Sequence, residues 1–84
     1  MIENFGKNVR RLRKEYHMTA SDLAECLGTS ETTIYNIERG RTHPTFLNLE
    51  KISRIFHAEP LDLFCTAEER KDYDEYRKSR RDQR

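Results

Sequence analysis

"GTSETTIYNIERGR", residues 28–41, is the stretch on which the fold turns. Its middle reads as a short helix whose aliphatic positions, Ile34 and Ile37, lie three apart on one face. Glu31, Thr32 and Asn36 stand at its front with side chains able to donate or accept hydrogen bonds. Helices in proteins hold together mainly by burying an apolar face, and this one has little to bury. It is therefore held by its neighbours and presents its polar front to something outside the chain.

Working upstream, Ser30 is placed to cap that helix, and "GTS" leaves about three residues between it and the helix before. Thr19, with Asp22 three residues on, gives an imperfect capping box for the earlier helix. Leu23, Ala24 and Leu27 form its apolar stripe, and Gly28 sits where a helix end favours a left-handed residue. Phe5, Val9, Leu12 and Tyr16 recur at helical spacing and mark a first helix with basic residues on its other faces.

Downstream, Gly40 ends the quoted helix, "RTHP" is a loop, and Thr45 caps a fourth helix. Phe46, Leu49, Ile52, Ser53 and Phe56 share one face of that fourth helix, and Pro60 suits the first turn of a short fifth, "PLDLF". No period-two run or hairpin signal marks a strand, so the class is all-α. Residues 66–84 are dominated by charge, with Tyr73 and Tyr76 as their large apolar bodies, and read as a solvated helix or tail. The division is thus 1–65 as a compact domain and 66–84 as a charged extension.

The 84 residues suit one small domain with an economical core. No apolar run is long enough to span a membrane and no signal peptide opens the chain, so a cytoplasmic protein is expected. Cys26 and Cys65 have no CxxC or zinc spacing and read as reduced thiols, with Cys26 as a small packing residue of the second helix. His17, His43 and His57 have no metal-ligand spacing and read as solvated or capping residues. No metal or cofactor is expected. Nor is an enzyme, because no nucleophile–base pair and no phosphate-binding glycine loop is present.

Net charge is only +1, yet cations cluster: Lys7, Arg10, Arg11, Arg13 and Lys14 early, Arg39 and Arg41 after the quoted helix, and Arg77, Lys78, Arg80, Arg81 and Arg84 at the end. Any nucleic-acid binding must use such local faces rather than net charge.

Two helices joined by a short Gly-containing turn, inside an all-helical bundle, form a helix-turn-helix. With "LRK", "LAECLGTS", "TIYNIERG", "FLNLEKISRIF" and "EPLDLF" in this order, the chain from about Phe5 to Phe64 resembles the Cro/phage-repressor (Xre-type) family. The resemblance implies a five-helix, lambda-repressor-like domain and a sequence-specific regulator that binds double-stranded operator DNA as a homodimer. It assigns base reading to Glu31, Thr32 and Asn36, and the groove edge and DNA backbone to Ser30, Thr33 and Tyr35. Arg41, Thr42 and His43 fall in the loop that meets phosphates, and Thr19 and Ala20 at the start of the second helix. Many members carry Gln where Ala20 stands, so only a backbone N–H remains there. Arg13 and Glu38 match a pair tying the first helix to the third. The chemistry agrees: Asn pairs with adenine, Thr meets the thymine methyl, and Glu accepts from cytosine N4.

Leu47 and Ile55 fall beside the fourth helix's core stripe, and with Leu61 they are the expected dimer patch. Two other functions fit the residues. An antitoxin would use 66–84, with Tyr73 and Tyr76, to bind a toxin protein; a module that has lost DNA contact would bind protein alone.

Overall fold

The helices begin and end on local chemistry. The computed structural model describes residues 2–82, with the side chains at 2, 67 and 79–82 outside that description. The expected basic end at Arg80, Arg81 and Arg84 therefore lies outside the described side chains. Six helices follow in order: α1 (Ile2–Glu15), α2 (Ala20–Leu27), α3 (Glu31–Glu38), α4 (Phe46–Ile55), α5 (Pro60–Phe64) and α6 (Ala67–Asp82). There is no strand among the described residues.

Hydroxyl caps start most of them. Thr19 Oγ1 accepts from the Asp22 N–H at 3.0 Å, and the Asp22 carboxylate accepts from the Thr19 N–H at 2.8 Å, completing the capping box. Hydrogen bonds from Thr19 hold the Asp22 carboxyl below its ordinary range. Ser30, Thr45 and Thr66 cap α3, α4 and α6 in the same way.

Four helix ends share one geometry. His17, Gly28, Gly40 and His57 all have positive φ, between 51° and 71°. After each, the next N–H reaches back over the last turn: Met18 to Arg13, Thr29 to Ala24, Arg41 to Asn36 and Ala58 to Ser53. These are Schellman closures, and they satisfy carbonyls that the helix end would otherwise orphan. Two of the four are made by histidine, which adopts this conformation more readily than most side chains.

The core gathers Phe5 and Val9 of α1, Ala20, Leu23, Ala24 and Leu27 of α2, Ile34 and Ile37 of α3, Ile52 and Phe56 of the α4 segment, and Leu63 of α5. Phe5 also stacks on Phe64, ring centroids 4.8 Å apart. On α1, Asn8 acts as a peg: its amide nitrogen donates to the Leu63 and Cys65 carbonyls at 2.8 and 3.0 Å, closing the end of α5. Arg70 seats α6 by donating to Asp62 at 2.6 Å and Glu59 at 3.3 Å.

Three sequence expectations need correction. Phe46 shares the angular stripe of Leu49 and Ile52, yet it is 81% exposed. It opens the first turn of α4, and that turn projects past the core. Tyr16 lies just past α1 and is half exposed, its ring edge-on to Phe56 and its hydroxyl donating to the Phe56 carbonyl at 3.0 Å. Cys26 is exposed rather than packed, because the α2 core face is taken by residues 20, 23, 24 and 27.

Gly6 sets how closely α1 and α3 cross. A Cβ there would collide with the Ile37 carbonyl oxygen and lie 2.6 Å from that of Glu38. Alanine normally favours a helix over glycine by about 1 kcal/mol. Here both obstacles are backbone, so Gly6→Ala is expected to destabilise, by roughly 1–3 kcal/mol as an overpacked site does. Urea denaturation checks this; a variant as stable as the parent or more so would contradict the close crossing.

Candidate nucleic-acid interface

α3 is pressed inward by its isoleucines. Ile34 is 1% exposed and Ile37 2%. Each contributes about 1.5–3 kcal/mol relative to an exposed side chain. Glu31 and Thr32, at the opposite side of the first turns, are exposed; Asn36 is half-buried and Tyr35 exposed. The acidic Glu31 also suits a helix N-terminus.

Residues 28–30 bridge α2 and α3 as a three-residue turn. Ser30 and Thr33 are partly committed to that turn: Ser30 Oγ accepts from the Thr33 N–H at 3.2 Å and lies 3.1 Å from Thr33 Oγ1. Thr19 is exposed at the start of α2, whereas the Ala20 methyl is in the core. Ala20 therefore offers only its first-turn N–H, one of the donors a helix leaves without an intrahelical acceptor. Arg41, Thr42 and His43 are all exposed in the loop after α3.

Arg13 and Glu38 form a bidentate pair. Nε donates to Oε2 at 2.7 Å and Nη2 to Oε1 at 3.0 Å, while Nη1 donates to the Met18 carbonyl at 3.0 Å. Their side chains are 11% and 5% exposed. The hydrogen bond that Arg13 donates to Glu38 raises the Arg13 pKa further above its already high ordinary value, against the opposing effect of burial. Both charges are thus spent on each other, and the pair fixes α1 against the end of α3.

Arg10 and Arg39 are the functional candidates that the sequence reading did not single out. They flank the neutral pair, lining with Tyr35 a cleft of about 140 Å³. The Arg39 guanidinium lies 5.8 Å from the Tyr35 ring centre. Clustered cations were the sequence signal; which of them share a cleft depended on the α1–α3 crossing.

Of the expected dimer residues, Leu47 is 58% exposed, while Ile55 and Leu61 are half-buried, Ile55 against the core. Beside Leu47, the exposed Phe46 borders a groove of about 430 Å³ that also takes in Leu49, Ser53, Ala58 and Pro60. The Ser53 hydroxyl is buried without a hydrogen-bond partner among the described residues. No metal-binding cluster occurs among the described residues, and no described helix is long and apolar enough to cross a membrane.

Two helices held across a three-residue turn, the second with a free polar front beside exposed cations, define a helix-turn-helix nucleic-acid-binding protein. The helix-turn-helix family model HTH_3 matches residues 9–64. The chain belongs to this family of DNA-binding transcriptional regulators, and it is not an enzyme. An uncharacterized HTH-type transcriptional regulator of Archaeoglobus fulgidus is 36% identical over 61 residues, spanning 73% of this chain and 87% of that protein. The restriction-modification controller protein C.AhdI of Aeromonas hydrophila superposes with a TM-score of 0.67 at 27% identity, covering 75% of this chain and 96% of that one. A hypothetical transcription factor NHTF from Neisseria shares the fold, with a TM-score of 0.72 at 22% identity over 84% of this chain and 82% of its own.

Removing one member of a buried ion pair strands the other, at a cost of about 3–5 kcal/mol. Glu38→Ala is expected to lose stability of that order, and pairing it with Arg13→Met is expected to recover most of the loss. Thermal melts of the two variants check this; an unchanged midpoint for Glu38→Ala would contradict a structural role for the pair.

Proposed function

We propose that the chain is a repressor that occupies a palindromic operator as a homodimer, with residues 1–65 reading DNA and 66–84 as an added segment. The observation that carries the reading is the division of α3: Ile34 and Ile37 buried, Glu31 and Thr32 exposed. In this reading the front of α3 enters the major groove. Asn36 takes adenine, Thr32 a thymine methyl and Glu31 a cytosine amino group. Phosphates meet the first N–H groups of α2, Ser30, Thr33, Tyr35 and the loop Arg41, Thr42 and His43, with Arg10 and Arg39 beside them. An acidic Glu31 repels phosphate, so it favours choosiness over general affinity.

Homodimerisation is supported by the exposed Phe46 and Leu47 and the apolar groove beside them. Ile55 and Leu61, half-buried, would contribute only their outer edges. A two-fold pairing there would present two α3 helices to successive turns of one DNA face, about 34 Å apart.

Selection from a random duplex pool tests this. A palindrome with half-sites about one turn apart is expected, bound about 10³-fold or more tightly than a scrambled duplex. Asn36→Ala is expected to cost about 1–3 kcal/mol and to relax one position of each half-site. Equal retention of all sequences, with only a salt-dependent affinity, would overturn the reading.

A further inference from the structure

α6 begins beyond the family match, and its described ties to α1 and α5 lie in its first turns. Its first turns are held by Arg70 on Asp62 and Glu59 and by the Asn4 amide, which donates to Glu69 at 3.4 Å. Further along, Tyr73 is 42% exposed and Tyr76 56%. The protein is 47 Å long and only 23 by 21 Å across.

Positions 69, 73, 76 and 80 fall on one stripe, at steps of four, three and four. In the sequence these are Glu69, Tyr73, Tyr76 and Arg80. The two tyrosines straddle the midpoint of Ala67–Asp82. A second copy of the stripe, reversed, therefore sets Tyr73 opposite Tyr76 and Glu69 opposite position 80. The same stripe in parallel sets like against like.

The charge of the whole helix has the same symmetry. Residues 67–75 carry Glu68, Glu69, Asp72, Asp74 and Glu75 against Arg70 and Lys71; residues 76–82 carry Arg77, Lys78, Arg80 and Arg81 against Asp82. The halves thus bear −3 and +3 by sequence. Within the helix, Arg77 lies over the Tyr73 ring, 5.9 Å from its centre, at the flank of the stripe. The acidic half repels a DNA backbone, which leaves a reversed copy of α6 as the better match along the full length.

We propose that α6 docks antiparallel on α6 of a second copy of this chain, with Tyr73 and Tyr76 of each forming the central layers. The contact does not depend on how the α4 face is used. It is small, so it acts where copies are already concentrated, as on neighbouring sites of one DNA.

Disulfide trapping in the full chain tests it. With Cys26→Ser and Cys65→Ser as background, one preparation carries Tyr73→Cys and the other Tyr76→Cys. When the two are mixed in a glutathione redox buffer, one Tyr–Tyr layer survives in the mixed pair. The 73–76 disulfide is expected to exceed each like-with-like product at least five-fold, with helicity by circular dichroism unchanged. Adding Glu69→Arg to both is expected to cut trapping about five-fold, and adding Arg80→Glu to the same chains to restore it. A statistical mixture, as follows if α6 binds DNA or a different protein, overturns the proposal. A like-with-like excess, as a parallel pair gives, overturns it too, as does loss without rescue.

Discussion

The crossing of α1 over the end of α3 is the constraint on which the rest of the structure depends. Gly6 lets the two backbones meet at the Ile37 and Glu38 carbonyls. About two turns further along α1, Arg13 grips the Glu38 carboxylate with two hydrogen bonds. α3 is thus clamped at its C-terminal end and pressed on α2 along its inner face, while its N-terminal front stays free. A helix with two buried aliphatics would not be held in one orientation by hydrophobic contact alone, since that contact is non-directional. A planar, bidentate guanidinium–carboxylate pair is directional. Its desolvation cost makes it a poor source of net stability, and fixing the geometry is the role the contacts support.

What the sequence made legible was whatever depended on neighbours a few residues away. Ser30, Thr45 and the Thr19–Asp22 box announce helix starts because the acceptor and the orphan N–H lie within one turn. The buried set of α2 and α3 followed from angular spacing. Angular spacing does not report depth along the helix axis, which is why Phe46 has the right phase for the core and still lies in solvent. Gly6 carried a signal, a glycine within a helical pattern, but its meaning rests on carbonyls some thirty residues away. Asn8 gave none: an asparagine on a basic helix reads as surface until α5 is placed beside it. The candidate site divides likewise. The polar front of α3 was readable from two isoleucines, whereas the cleft holding Arg10 and Arg39 required the crossing itself.

The cations around α3 and the charges of α6 behave differently. In the cleft between α1 and α3 the acid among the lining residues, Glu38, is paired with Arg13, which leaves the cleft its exposed cations Arg10 and Arg39. On α6, acids and bases balance in number and are largely separated end to end. A net charge of +1 conceals both arrangements.

In the proposed complex the clamped α3 presents its front to DNA. Amide chemical-shift mapping by NMR, titrating the protein with its selected duplex at moderate salt, tests it residue by residue. Shifts are expected to concentrate at Thr19–Ala20, Ser30–Asn36 and Arg41–His43, with α5 and the buried turns of α4 nearly unmoved. Shifts centred on α4, α5 or α6 instead, with α3 silent, would contradict it.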